Sequence, residues 1–168
     1  MDTNAIHPET AIGHVHLTVA DLDRAVHFYH DILGFEITMR YGPSAVFLSA
    51  GGYHHHIGLN TWNGVGAPAP APGTTGLYHF AIRYPTRREL SRALHRLIEH
   101  QWPIGGASDH GVSEALYLND PDGNGVELCW DRPRSEWPRP KEGDLLMYTK
   151  PLDLEGLLKE YEPASAPA

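Results

Sequence analysis

Gly13-His-Val-His-Leu-Thr-Val-Ala-Asp-Leu-Asp-Arg-Ala-Val-His-Phe-Tyr-His-Asp-Ile-Leu-Gly34 is the stretch that decides the fold. Its first seven residues alternate polar and apolar, the pattern of a half-buried strand. Leu22, Ala25, Val26, Tyr29, Ile32 and Leu33 then recur at helical spacing, and Gly34 suits a helix C-cap. Three short strands are expected next, near 35–41, 44–49 and 53–60, with Gly51 and Gly52 turning the last pair into a hairpin.

The same order returns 65 residues on, where His14 maps onto His79 and Val15 onto Phe80. Leu77-Tyr-His-Phe-Ala-Ile-Arg83 reads as a strand. Thr86 opens a helix with Glu89 in the reciprocal capping position, and Leu90, Ala93, Leu94, Leu97 and Ile98 share one face. Strands near 103–106, 114–119 and 125–130 come next, the last two joined by the turn Asp120-Pro-Asp-Gly-Asn124. Two copies of strand, helix and three strands make a structural repeat. The expected class is therefore α+β: two βαβββ modules, about 12–62 and 77–131, forming one open mixed-sheet barrel over residues 10–132. A Pro/Gly/Ala linker joins the copies over 64–75. Residues 133–168 read as a C-terminal strap ending in a short helix, drawn from Leu152, Leu154, Leu157 and Leu158.

Composition narrows the class further. The 168 residues suffice for one domain with a real core. A formal charge of −8 argues against a nucleic-acid partner, which needs a basic patch. The single cysteine, Cys129, makes no internal disulfide. No apolar run reaches membrane-span length and the first 25 residues show no signal-peptide core, so a cytoplasmic protein without a membrane partner is expected. Twelve histidines, several in strand-like segments, ask for an explanation.

Parity assigns them to faces, because strand side chains alternate. His14, His16 and Thr18 oppose the apolar Val15, Leu17 and Val19. His79 opposes Phe80 and Ile82; Glu127 opposes Val126, Leu128 and Trp130. In 53–60, Ile57 and Leu59 take His55 with them into the core, leaving His54, His56 and Asn60 on the other side. If that face is concave, the polar set converges. A lone strand histidine is more often surface or core-satisfied than a ligand. His27, His30, His95 and His100 are read as solvated helix positions on that ground. For His14, His79 and Glu127, duplicate positions and shared parity favour ligation. Two imidazoles and one carboxylate leave metal positions open, which suits Fe(II) or Mn(II) better than a closed structural zinc site.

The segment 13–35 resembles the opening signature of the vicinal oxygen chelate superfamily, which includes glyoxalase I, fosfomycin- and bleomycin-resistance proteins and extradiol ring-cleavage dioxygenases. Leu77-Tyr-His-Phe-Ala-Ile82 and Leu116-Tyr-Leu-Asn-Asp-Pro-Asp-Gly-Asn-Gly-Val-Glu-Leu128 resemble its second-module strands. That resemblance implies the vicinal oxygen chelate fold and carries metal-ligand roles onto His14, His79 and Glu127. Asp109-His-Gly-Val-Ser113, with Tyr117 beyond it, is similar to the extradiol dioxygenases, in which a histidine and a tyrosine of this segment line the ring-binding pocket. Residues 49–60 and 131–138 resemble the first half of the longer catechol-2,3-dioxygenase proteins.

The resemblance implies an extradiol-type dioxygenase acting on a catechol-like aromatic diol with O2. It would hold one divalent metal per barrel, Fe(II) ahead of Mn(II) or another divalent ion. His56 is the expected acid–base residue, with His54 as the fallback if the hairpin register slips. His110 and Tyr117 would hydrogen-bond substrate, and His16, His54 and Asn60 would line the pocket. These barrels commonly pair, so a homodimer or higher homo-oligomer is expected. The alternatives are a glyoxalase-like lyase or isomerase and a non-catalytic small-molecule binding or resistance protein of the same fold.

Overall fold

A computed structural model describes residues 5–140 and 143–162. The first module runs β1 (Val15–Thr18), α1 (Leu22–Val26), a π-helical continuation (His27–Ile32), β2 (Glu36–Tyr41), β3 (Ala45–Ser49) and β4 (Ile57–Asn60). The second repeats it with β5 (Phe80–Tyr84), α2 (Arg87–Glu99), β6 (Gly106–Asp109), β7 (Ser113–Asn119) and β8 (Gly125–Asp131). The tail adds β9 (Lys150–Pro151) and α3 (Leu154–Leu158). Part of the expected 133–168 strap, residues 141–142 and 163–168, lies outside the described residues.

Strand order is β1-β4-β3-β2 in one sheet and β5-β8-β7-β6-β9 in the other. The first and last strands of each module pair in parallel and the remaining pairs are antiparallel. The repeat is thus a repeat of topology, and the chain is α+β. Both helices start where short polar side chains cap them. Asp21 Oδ1 accepts from the Arg24 N–H at 3.0 Å, and Thr86 Oγ1 from the Glu89 N–H at 3.2 Å.

The first helix departs from the 3.6-residue period. From His27 it widens, and the Leu33 N–H reaches the Phe28 carbonyl five residues back. A wider turn brings more side chains inward. Phe28, which the α-helical period leaves off the apolar face, is fully buried beside Tyr29 and Ile32. Phe28 packs on Trp102 and Tyr29 on Phe80, so the first module's helix is seated on the second module.

One apolar core runs through both modules, joining Leu17, Val19 and Leu59 to Leu90, Leu94, Leu116 and Leu128. Polar contacts fix the same junction. The Tyr29 hydroxyl donates to Asp120 at 2.8 Å, while Asp122 takes the Ala20 N–H at 3.1 Å and the Arg24 guanidinium at 2.6 Å. Burial and the Asp120 carboxylate push the Tyr29 hydroxyl well above its ordinary pKa, so it stays a donor. Arg96 donates to the Ile32 and Asp31 carbonyls, both at 2.7 Å, and so satisfies the end of the first helix.

The tail is tied down at several points. β9 pairs with the β6 edge. Glu114, buried on β7, sits between Arg87 at 2.8 Å and Arg132 at 2.9 Å; Arg132 also holds Asp109, and Arg87 reaches Glu160 beyond α3. Leu157 is the fully buried anchor of α3. Leu157→Ala is expected to cost about 2 kcal/mol, the lower end for a core leucine because a five-residue helix can settle into the space. Urea unfolding of the two proteins measures it, and an unchanged midpoint would show that α3 adds nothing to stability.

Several strands begin later than their sequence suggests, and the displacement matters for the site. β4 starts only at Ile57, so His54 and His55 precede it and their parity is not set by the sheet, while His56 makes the first backbone bonds to β3 and β1, to the Leu48 carbonyl and from the Val15 N–H. β6 starts at Gly106. β1 and β5 start at Val15 and Phe80, so His14 and His79 occupy matching positions one residue ahead of each first strand.

Candidate metal centre

The second sheet aligns Ala81, Glu127, Tyr117 and Gly106 in one cross-strand row. His79, two residues before Ala81, shares that row's face. The side chains meet: His79 Nε2 lies 2.9 Å from Glu127 Oε2, the Tyr117 hydroxyl 3.4 Å from Glu127 Oε1, and His110 Nε2 2.6 Å from the Tyr117 hydroxyl. His79, Glu127, Tyr117 and His110 therefore form one continuous polar line across β5, β8, β7 and the loop after β6. Burial, reinforced by the Glu127 charge, pushes the Tyr117 hydroxyl up to about 12, so it is a neutral phenol at physiological pH. Cys129, two residues along from Glu127, is raised to about 12 by burial, with Glu127 and Asp131 adding to it. It stays a protonated thiol and so a poor ligand or nucleophile.

The matching row of the first sheet is His16, Gly58 and Phe47. Gly58 stands where the second module has Glu127. Its bare backbone is covered by the His16 ring, which an added Cβ would meet at 3.0 Å. His16 packs edge-on to Phe47 and against Trp62. Burial, with the charge of His14, lowers its pKa. The first-module position corresponding to Glu127 is therefore Gly58, and His56 corresponds to Gly125.

The run His54-His55-His56 also departs from its expected faces. His55, read as packing under the sheet, stands against the His14 ring at 4.3 Å and edge-on to Phe47. Burial first, then the surrounding imidazoles of His14, His54, His16 and His56, lower its pKa. His54 lies on Tyr53, with its Nδ1 2.7 Å from His55 Nδ1. His56 accepts the Ala50 N–H at Nδ1 and rests on Tyr53. Asn60 is buried, and its Oδ1 accepts the Trp62 N–H at 3.1 Å, so its side chain closes a turn. A run of three histidines carries no apolar phase. Only the strand start at Ile57 sets their register.

His14, His56 and His79 line one cleft of about 1080 Å³ beside the edge strands β1 and β5, with Ile12 and Leu77 supplying apolar wall. Among the described residues, no three His, Cys, Asp or Glu side chains stand together as a ligand set. His79 and Glu127 meet; His14 is with His55. The imidazole nitrogen and carboxylate oxygen of the meeting pair suit a borderline-to-hard divalent ion, so these two residues fit a metal of the Fe(II) or Mn(II) kind.

A doubled βαβββ unit, with a histidine heading each first strand and a glutamate on the last, is the architecture of the vicinal oxygen chelate fold. The chain belongs to the Glyoxalase/Bleomycin resistance protein/Dioxygenase superfamily, whose family model matches residues 11–128. It is 47% identical over 156 residues to a catechol-2,3-dioxygenase of Bacillus subtilis, covering 93% of this chain and 54% of that protein. It is 35% identical over 124 residues to biphenyl-2,3-diol 1,2-dioxygenase 3 of Rhodococcus globerulus, covering 71% of this chain and 63% of the relative. The chain thus spans between half and two thirds of these relatives' length. Among solved structures, lactoylglutathione lyase from Agrobacterium tumefaciens aligns with a TM-score of 0.56 at 27% identity, over 74% of this chain and 96% of that one. No described helix is long and apolar enough to cross a membrane.

Proposed function

We propose that the chain is an extradiol-type dioxygenase opening the ring of a catechol-like diol with O2. The observation that carries this reading is the line His79, Glu127, Tyr117, His110, which sets a carboxylate–imidazole pair beside two groups able to handle a hydroxyl proton. The likeness to proteins named as catechol and biphenyl-diol dioxygenases points the same way. His79 and Glu127, with His14 from the first module's side of the cleft, would hold one divalent ion, with Fe(II) preferred. The chemistry such an ion supplies is orientation of the diol and O2 and passage of electrons between them.

The protein's own contribution is position and proton handling. Tyr117, beside Glu127, meets a diol oxygen and stays neutral while doing so. His110 takes up or returns a proton through Tyr117. His56, whose Nδ1 takes the Ala50 amide, lines the cleft and would exchange protons there through its other nitrogen. Ile12 and Leu77 supply the apolar surface for an aromatic ring.

Loading the chain with Fe(II) under argon, then adding catechol in air-saturated buffer, tests this. Oxygen uptake with appearance of a yellow ring-fission product is expected. An Fe(II)- or Mn(II)-loaded protein that consumes no oxygen with any simple catechol would overturn the reading. Turnover of a methylglyoxal–thiol adduct would assign the lyase chemistry of the structural neighbour instead.

A further inference from the structure

We propose that the tail is a positioning element for the proton relay, and that the Tyr148 backbone carbonyl holds His110 as its Nδ1–H tautomer so that Tyr117 faces substrate as an acceptor. The catalytic meaning of this rests on the dioxygenase reading; the tautomer itself does not.

His110 Nδ1 lies 2.8 Å from the Tyr148 carbonyl oxygen. A carbonyl can only accept, so Nδ1 must carry the proton. In a neutral ring the other nitrogen, Nε2, is then bare. It lies 2.6 Å from the Tyr117 hydroxyl, and that hydroxyl must donate to it. A phenol has one proton. Once that proton is committed to His110, Tyr117 has none for Glu127, and the 3.4 Å approach to Glu127 Oε1 is lone pair to lone pair. The lone pairs of Tyr117 are what remain for a ligand. A substrate oxygen entering there must bring its own hydrogen, as a free diol hydroxyl does and a methyl ether does not.

The strap is built to hold that carbonyl. The Tyr148 N–H donates to the His110 carbonyl at 3.3 Å, so the two residues are bonded in both directions. β9 begins two residues later and fixes Lys150 opposite Asp109. Lys150 Nζ sits 4.4 Å from the centre of the Tyr148 ring. Gly111, at φ +78°, leaves the space that ring fills: a Cβ there would meet the ring at 2.6 Å. On the far side Arg132 clamps Asp109 to Glu114. Thr149 Oγ1, at 3.4 Å from Nδ1, is a longer second partner.

Side-chain nitrogen NMR of the full chain, labelled with nitrogen-15 at pH 8 and assigned with His110→Gln, decides the matter. His110 is expected to show a protonated Nδ1 and a bare Nε2. Tyr117→Phe is expected to keep that pattern, because the strap, not the phenol, sets it. A proton on Nε2 in the unsubstituted chain, a ring protonated at both nitrogens, or a switch of tautomer in Tyr117→Phe would each overturn the proposal. The readout needs no turnover, so an inactive protein with the Nδ1–H ring would sink the dioxygenase reading and leave this one standing.

Discussion

On the proposed reading, His79→Ala is expected to strip the Fe(II)-loaded chain of its metal and of all diol cleavage. The imidazole is one half of the only carboxylate–imidazole contact on the second sheet's site face among the described residues, 2.9 Å from Glu127. Losing a residue that merely orients a ligand typically costs 10–100-fold in metal affinity. Loss of a direct ligand should exceed that, about 1000-fold or more, so little metal should survive gel filtration. Elemental analysis of the filtered protein gives the answer. His95→Ala is the control: His95 donates to or accepts from nothing in the site, its Nε2 lying 3.0 Å from the Leu158 carbonyl. Full metal occupancy in His79→Ala would end the ligand assignment.

Asp120→Ala is expected to be the most destabilising single change away from the site. Asp120 is buried and accepts four hydrogen bonds: from the Tyr29 hydroxyl, the Asp122 and Asn124 amides, and the Asn124 side chain. Alanine leaves the fully buried Tyr29 hydroxyl without a partner, and an unsatisfied buried group costs about 1–3 kcal/mol. Loss of the turn's two amide bonds adds to that, for a total of about 3 kcal/mol or more. Tyr29→Phe removes donor and need together and should cost about 1 kcal/mol. Chemical denaturation of both variants separates them. Equal losses would mean that the Tyr29 bond alone, and not the turn amides, accounts for the role of Asp120.

The two-module plan was legible because apolar alternation, helical spacing and the offset from His14 to His79 all agree, and they agree again in the observed topology. Parity also sufficed for the face of Glu127, which lies inside a long strand whose register the core fixes, whereas Tyr117 entered only through the resemblance. Parity failed for the residues ahead of β4. There the chain is only entering the sheet, through the backbone of His56, and His55 rather than His54 or His56 turns to His14. The equivalence of Gly58 with Glu127 was hidden for a related reason: it needs the pairing of β1 with β4, which no periodicity reveals. Phe28 was missed because the helix widens where the sequence looks regular. The Tyr148 carbonyl had no signal at all, since a backbone acceptor leaves no trace in side-chain identity.

The seat of the first helix on the second module bears on how the chain is made. Tyr29 meets Asp120 across 91 residues of sequence and Ala20 meets Asp122 across 102. At ribosomal rates of about 5–20 residues per second, Phe28 and Tyr29 wait several seconds for the surface that buries them. The nascent first half leaves these two rings uncovered meanwhile. Such long-range closure predicts slow, all-or-none refolding rather than two independent steps.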